Sequence, residues 1–187
     1  LKTRNAETLF GAIAEQLSEE GIELLPATTF LDDCIPQAGH IAGPRPRKRR
    51  WEEARFGFEI AKASSKLDIG QTVIVKNGTV LAVEAFEGTN EAVKRGGALG
   101  KGGSTMVKVS KPSQDMRFDV PVIGPETITV AAEAAVDVVA VEAGTQHDIG
   151  LDEHAAGFVG HADHAALGHR RVQQQRTFDL GAGDVVA

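Results

Sequence analysis

The sequence predicts an α/β protein with a mixed sheet and flanking helices, on three observations. Patterns typical of helices and of strands alternate along the chain, as they do in α/β domains. Two apolar runs joined by Asn77–Gly78 indicate a β-hairpin, because this dipeptide suits a type I′ turn. Apolar residues make up 42% and charged residues 25% of the 187 residues, which is the balance of a globular protein.

The first third of the chain predicts two helices separated by a linker. Apolar residues at helical spacing predict a helix over Ala6–Glu20, and a short strand is predicted at Ile22–Leu25, before Pro26. Three prolines and two glycines without periodicity in Cys34–Pro46 predict a linker. A second helix is predicted at Trp51–Lys66, with small and apolar side chains on one face.

The middle of the chain carries the clearest local pattern. Strands are predicted at Thr72–Lys76 and Thr79–Val83, on either side of the Asn-Gly turn. Thr89 or Asn90 is expected to cap the helix that follows the second strand. The elements predicted after this helix are a strand at Thr105–Val109, a helix over 125–135 that begins with Pro125, and a buried strand at Val136–Val141.

Charge and composition argue against several classes of protein. The formal net charge of −6 disfavours a general nucleic-acid binder, whose domains are usually basic. We therefore interpret the basic run of Arg45 and Arg47–Arg50 as a solvated linker that leads into a helix, rather than as a nuclear-localisation or nucleic-acid patch. No apolar run reaches the ~20 residues that span a bilayer. The single Cys34 follows two aspartates and is interpreted as an inert thiol in a reducing cytoplasm.

Two further patterns are similar to binding motifs without matching them. The glycine-rich Gly96–Gly103 contains Lys101, but Gly102 stands where a P-loop needs Ser or Thr, so we predict a flexible loop. His161 and His164 are three residues apart in a polar segment that continues to the last residue. No cysteine supports a zinc site there, and the composition favours a disordered or atypical tail.

Three polar clusters stand at predicted strand ends, where α/β proteins usually bind ligands. They are Asp68–Gln71, Glu84–Asn90 and Lys108–Pro121. The first two flank the hairpin, so its antiparallel strands should bring them to one rim of the sheet. In the third cluster, we expect Arg117 and Asp119 to share one face of an extended segment.

The clusters contain the groups that cleavage of a phosphoanhydride needs. These are cations for the phosphoryl oxygens, carboxylates for a metal ion, and a group that orients water. Salt-bridge ladders on protein surfaces use the same residue types, and on spacing alone this alternative stays open. The candidate cations are Lys108, Lys111 and Arg117, and the candidate carboxylates are Glu84, Glu87, Asp115 and Asp119.

Five segments form a distinctive series along the chain, namely Phe56–Ile60, Leu67–Gln71, Leu81–Ala85, Glu87–Thr89 and Arg117–Gly124. In residues, order and spacing they resemble the LpxI-type UDP-2,3-diacylglucosamine pyrophosphatase family. After about Gly144 the resemblance stops. Because the matching segments are independent of one another, the resemblance is specific to this family.

The resemblance implies a hydrolase of lipid A biosynthesis that cleaves UDP-2,3-diacylglucosamine to UMP and 2,3-diacylglucosamine 1-phosphate. It implies a divalent cation, usually Mg²⁺, and a cytoplasmic protein that contacts the inner membrane surface through its lipid substrate, with a homodimer as one option. The chain is then expected to be part of a longer protein. Its domains would be the end of an amino-terminal Rossmann-like domain at 1–33, a linker at 34–50, a catalytic α/β domain at 51–144 and an atypical tail at 145–187.

The resemblance also implies roles for individual residues. Asp119 occupies the place of the family's essential acid, and Asp115 is a second catalytic candidate. Asp119, Glu84 and Glu87 are the expected metal ligands. Asn90 stands where the family usually has Asp, which removes a negative charge near that site. The candidate substrate-binding residues are Gln71, Gly88, Thr89, Arg95, Lys108, Lys111, Gln114 and Arg117.

Two other functions remain open from the sequence. The chain is alternatively a non-catalytic fragment that keeps the fold, or a module that binds a nucleotide or phosphate without hydrolysing it. Release of UMP from UDP-2,3-diacylglucosamine would distinguish the enzyme from both alternatives.

Overall fold

The computed structural model of the protein describes residues 6–31, 39–112, 114–142 and 156–160. Within these ranges the chain forms four helices and one sheet of six strands. No helix in the described part of the chain is long and apolar enough to cross a membrane. In chain order the elements are α1 (Ala6–Glu19), β1 (Gly39–Ala42), α2 (Lys48–Lys66), β2 (Thr72–Lys76), β3 (Thr79–Val83), α3 (Thr89–Gly100), β4 (Ser104–Lys108), α4 (Pro125–Glu133), β5 (Val136–Glu142) and β6 (Ala156–Gly160).

The sheet is mixed, with the strand order β1-β6-β5-β4-β2-β3. Strands β4 and β5 run parallel, as do β1 and β6. Strand β2 pairs antiparallel with both β3 and β4, and β5 pairs antiparallel with β6. Helix α4 lies in the connection between β4 and β5, because parallel neighbours need a crossover. The predicted α/β class with a mixed sheet is confirmed.

The hairpin forms at the predicted residues. Asn77 and Gly78 have φ angles of 52° and 70°, the two positive values that a type I′ turn requires. Lys76 pairs with Thr79 directly across the turn. The backbone N–H of Asn77 also donates to Glu53 Oε1 at 3.1 Å, so α2 helps to hold the turn in place.

Helices cover both faces of the sheet, because side chains alternate along each strand. Val73 and Val75 of β2 pack with Ala54 of α2, whereas Ile74 packs with apolar residues of α3 and α4. These four side chains are at most 1% exposed. Close packing of α3 depends on Gly96, where a Cβ would lie 2.6 Å from the Cβ of Ile74.

In the amino-terminal part, a predicted strand is absent and the predicted linker includes regular structure. Ile22–Leu25 forms no strand, since a ladder needs a neighbouring strand and the described residues provide none there. Ile22 and Leu25 are 52% and 48% exposed. The predicted linker contains β1 and the first residues of α2. Strand β1 pairs with β6, a partner too distant in sequence for a local pattern to reveal.

Part of the basic run is structural rather than solvated. Arg50 is 22% exposed and donates to Glu53 Oε2 at 2.6 Å and to Asp137 Oδ2 at 2.8 Å. Glu53, 4% exposed, also accepts hydrogen bonds from Asn77 N and Thr105 Oγ1. Burial alone would raise the pKa of Glu53. The hydrogen bonds that it accepts, with the one from Arg50 as the largest contribution, outweigh this effect and lower that pKa. Arg50 and Glu53 thus attach α2 to the hairpin turn and to the starts of β4 and β5.

The segment 145–187, predicted as an atypical tail, contributes one strand to the sheet. The backbone of β6 lies between β1 and β5 and pairs with both. The boundary predicted at residue 144 assigns β6 to the tail, and this division into domains stays a prediction. The histidines predicted not to form a zinc site, and Cys34, lie outside the described residues. The assignment of 1–33 to the end of another domain stays a prediction.

Candidate functional site

The edge of the sheet where β4 ends brings two of the predicted clusters together. Thr72 pairs with Lys108, and the backbone N–H of Glu84 donates to Thr72 O at 2.8 Å. Val109 N donates to Gln71 O at 3.0 Å. Gln71, Glu84 and Lys108 therefore lie side by side, and the prediction that the hairpin places both clusters on one rim is confirmed.

A glycine permits the closest contact in this rim. A Cβ at Gly70 would lie 2.0 Å from the backbone oxygen of Glu84, far inside van der Waals contact. Any side chain at position 70 would therefore push the loop of residues 67–71 away from the end of β3. Gly70 belongs to a segment that carries the family resemblance. The close approach of the Glu84 oxygen explains why a residue without a side chain is needed at this position.

Glu84, Thr89 and Lys108 form a connected polar group. Thr89 Oγ1 donates to Glu84 Oε1 at 2.8 Å, and Lys108 Nζ donates to Thr89 Oγ1 at 3.1 Å. Thr89 is the first residue of α3, and Gly88, with φ of 84°, is its N-cap. The prediction that Thr89 or Asn90 caps this helix is therefore wrong, because the hydroxyl of Thr89 is used by Glu84. No side chain caps the amino terminus of α3.

Arg95 and Glu87 form an ion pair beside this group. Arg95 also donates to Val83 O at 2.8 Å, and Glu87 Oε2 accepts from Ala85 N at 3.1 Å. The hydrogen bond from its own backbone N–H, and then the one from Arg95, lower the pKa of Glu87. The carboxylate of Glu87 therefore stabilises the turn between β3 and α3.

The second half of the site is the Gln114 loop, residues 109–112 and 114–119, which follows β4. Gln114 Oε1 accepts from Lys111 N at 2.7 Å and from Gln71 Nε2 at 2.8 Å. Gln114 Nε2 donates to Asp119 Oδ2 at 2.7 Å. This one amide connects Asp119 to the start of β2.

Arg117 and Asp119 do not share one face of an extended segment. Residues 116–118 form a turn, in which Phe118 N and Asp119 N both donate to Asp115 O at 3.1 Å. Arg117 donates to both oxygens of Asp115, at 2.9 Å from Nε to Oδ1 and at 2.7 Å from Nη2 to Oδ2. The hydrogen bond from Arg117 lowers the pKa of Asp115. Asp115 is thus the partner of Arg117, and Asp119 is the partner of Gln114.

Aromatic contacts attach the amino-terminal segment to this loop. The guanidinium of Arg117 lies 5.5 Å from the ring centroid of Phe118, which stacks on Phe10 of α1 at 5.3 Å. Ala27 N donates to Met116 O at 2.9 Å. The amino-terminal segment therefore contacts the turn that precedes Asp119.

Three residues outside the predicted set hold the base of the Gln114 loop. Lys62 Nζ lies 2.7 Å from Glu142 Oε1 and donates to Ser110 O at 3.0 Å. Ser110 N and Ser110 Oγ both donate to Glu142 Oε2 at 2.7 Å. Two features of the sequence could have indicated this group. Glu142 is a charged residue at the end of an apolar strand, and Lys62 is a charged residue on a helix that packs against the core.

The expected metal ligands do not form one cluster. Among the described residues, no group of three or more His, Cys, Asp or Glu side chains could hold a metal ion. Glu84 accepts from Thr89, Glu87 is paired with Arg95, and Asp119 accepts from Gln114. Asn90 donates to Glu126 Oε1 of α4 at 3.2 Å, so its amide contacts a helix rather than these carboxylates.

Two comparisons with known proteins found sequences similar to this chain. A family model described as the LpxI C-terminal domain matches residues 37–168, a range that includes both β1 and β6. A protein of Caulobacter vibrioides, named UDP-2,3-diacylglucosamine pyrophosphatase LpxI, is 30% identical over 146 residues, which cover 74% of this chain and 52% of that protein. The chain spans about half the length of that relative. The chain belongs to the family of the LpxI C-terminal domain.

Proposed function

We propose that this chain carries the hydrolytic site of a UDP-2,3-diacylglucosamine pyrophosphatase. The observation that supports this best is the position of Asp119, a carboxylate held by Gln114 near the rim of the sheet where Lys108 ends β4. Lys111, in the same loop as Gln114, forms an ion pair with Asp68 of that rim. The relative's name supports the substrate. The products would be UMP and 2,3-diacylglucosamine 1-phosphate.

In the proposed reaction, the oxygen of water bonds to the phosphorus attached to the sugar. The bond from that phosphorus to the bridging oxygen breaks, and the bridging oxygen leaves with UMP. Asp119 would accept a proton from the attacking water or orient it, because Gln114 binds only one of its oxygens and the residue is exposed. Lys108 and Lys111 would neutralise charge on the phosphoryl oxygens.

A divalent cation, Mg²⁺ or another, is part of the proposal. Mg²⁺ keeps several waters and commonly binds one or two carboxylates together with substrate phosphates. Asp119 fits this description, since among the described residues its Oδ1 accepts no hydrogen bond. The ion would supply positive charge at the diphosphate. We therefore propose Asp119 and the substrate, rather than Glu84 and Glu87 as well, as its ligands.

We further propose transient contact of this rim with the surface of the inner membrane, where a diacylated substrate resides. Leu67 and Ile69 are 72% and 48% exposed, and Phe86 is fully exposed. The contact between Gly70 and Glu84 brings the loops that carry these three side chains together. An apolar rim beside a polar site suits a substrate with a charged diphosphate and acyl chains.

The test is release of UMP by the protein purified from its complete gene, compared with two variants. Asp119→Asn should lower kcat at least ~100-fold, the scale of lost general-base or electrostatic help. Asp115→Asn is the matched comparison, and a smaller loss is expected because Asp115 serves Arg117. Thermal unfolding should show that both variants fold.

Two results would contradict the proposal. Normal turnover by a folded Asp119→Asn protein would remove Asp119 from the chemistry. Binding of UDP-2,3-diacylglucosamine by the wild-type protein without any release of UMP would instead indicate a phosphate-binding module.

A further inference from the structure

The side-chain amide of Gln114 is fully used. Its Oε1 accepts from Lys111 N at 2.7 Å and from Gln71 Nε2 at 2.8 Å. Its Nε2 donates to Asp119 Oδ2 at 2.7 Å and to Asp119 O at 3.0 Å. Four hydrogen bonds from one amide leave it little capacity to bind a substrate as well.

The orientation of this amide follows from its partners. A backbone N–H can only donate, so the group that faces Lys111 N must be the oxygen of Gln114. The nitrogen must then face Asp119. Exchange of the two ends would place a carbonyl oxygen against a carboxylate and an N–H against an N–H. The amide therefore has one orientation in this network.

The first residues of the Gln114 loop, and Gln114 itself, are anchored to the sheet. Gln71, which donates to Gln114, lies one residue before β2, and its own carbonyl accepts from Val109 N at 3.0 Å. Ser110 is held by Lys62 of α2 and Glu142 of β5. The position of Gln114 is therefore determined by secondary structure, and Gln114 transmits that position to Asp119.

We propose that Gln114 is a positioning residue for Asp119 rather than a substrate-binding residue. Its Nε2 occupies Asp119 Oδ2 and so selects the other oxygen, Oδ1, to face the attacking water or the metal ion. A neutral amide performs this role without adding charge beside the carboxylate. The inference rests on the proposed hydrolytic function of Asp119.

The first test is the kinetics of Gln114→Leu, which removes the amide at similar volume. Loss of orientation should lower kcat by about 10- to 100-fold, since a displacement on the order of 1 Å has this cost. KM should change less than about threefold, because no substrate contact is lost. Gln16→Leu, an exposed glutamine of α1, is the control and should be unchanged.

The second test is the pH profile of Gln114→Glu. This variant keeps an oxygen for Lys111 N and Gln71 Nε2, but it places a second carboxyl group against Asp119. Two adjacent carboxylates share a proton at low pH, so the donor to Asp119 is restored only there. The kcat of Gln114→Glu relative to wild type should fall as the pH rises, a change that a purely structural role would not produce.

A third measurement does not depend on activity. The loss of melting temperature caused by Gln114→Leu should be smaller in an Asp119→Ala background than in wild type, because the partner is already gone. Additive losses would overturn the inference even if the protein releases UMP. A tenfold rise in KM with normal kcat would also overturn it and would make Gln114 a substrate-binding residue. Absence of UMP release by wild type would count against the proposed function, and the melting temperatures would still decide the link between the two side chains.

Discussion

Glu53 and Asp119 are two carboxylates that differ in exposure and in the number of hydrogen bonds that they accept. Glu53 is 4% exposed and accepts hydrogen bonds from Arg50, Asn77 N and Thr105, which together account for both of its oxygens. Asp119 is exposed and its side chain accepts from one amide. The first carboxylate attaches a helix to the sheet, and the second keeps one oxygen for the hydrolysis that we propose.

Glu53→Gln should destabilise the fold by about 2 kcal/mol at neutral pH, because hydrogen bonds to a charged group are lost. The pKa of Glu53 is lowered in the folded state, so its carboxylate contributes stability above the unfolded-state pKa. That contribution is lost as the pH falls through the lowered value. In urea unfolding, the free energy of unfolding of wild type should therefore exceed that of the variant at pH 7. This difference should become smaller below about pH 4.

Glu52→Gln is the control for this measurement, because Glu52 is the exposed neighbour of Glu53 on the same helix. It should change the free energy of unfolding by less than about 0.5 kcal/mol. A destabilisation by Glu53→Gln that stays the same from pH 7 to pH 3 would show that charge is not the cause.

The sequence indicates candidate side chains for the site, but not the partners that these side chains have in the structure. Asp115 and Arg117 were recognised as a carboxylate and a cation, yet their pairing depends on the turn at 116–118. The role of Gln114 depends on the same turn, because the turn brings Asp119 back to its amide. Residue types follow from chemistry, whereas partners follow from the path of an irregular loop.

In the loop of residues 67–71, the addition of a single methyl group should lower both stability and turnover. Gly70→Ala would place a Cβ 2.0 Å from the Glu84 oxygen, so the loop must move away from β3. We expect a loss of about 1–3 kcal/mol in the free energy of unfolding, together with lower turnover. Chemical unfolding and UMP release measure the two effects.

Gly11→Ala provides the comparison for Gly70→Ala. Gly11 lies within α1 with no atom inside 4 Å of a Cβ built there, so alanine should leave stability unchanged or raise it by up to about 1 kcal/mol. If Gly70→Ala behaves like Gly11→Ala, the close contact between the loop and β3 does not constrain the site.

Elements with local signals were predicted well, and elements with distant partners were not. The hairpin β2–β3 was found at its residues because an Asn-Gly turn and two adjacent apolar runs are enough to specify it. Strand β1 contains one large apolar side chain, Ile41, and its pairing with β6 cannot be read from either segment alone. The apolar run Ile22–Leu25 shows the converse, since a strand-like pattern without a neighbour forms no strand.

For the whole molecule, the exposed apolar side chains of the rim predict that the protein binds to lipid membranes. Phe86→Ser combined with Leu67→Ser should weaken binding to vesicles of phosphatidylethanolamine and phosphatidylglycerol by about tenfold, as expected for partial burial of two large side chains. Leu99→Ser is the matched control, because Leu99 is 60% exposed but lies near the other end of α3. Flotation assays measure the binding, and an equal loss in both proteins would contradict a membrane-facing rim.

The pairing of β1 with β6 has a consequence for the order of events during synthesis. Strands β2 to β5 are consecutive in sequence and pair with one another, so they can assemble as soon as β5 has left the ribosome. Strand β1 is made before all of them, yet its partner follows roughly a hundred residues later, at a cost in loop-closure entropy. We expect Gly39–Ala42 to join the sheet only after Ala156–Gly160 has been translated.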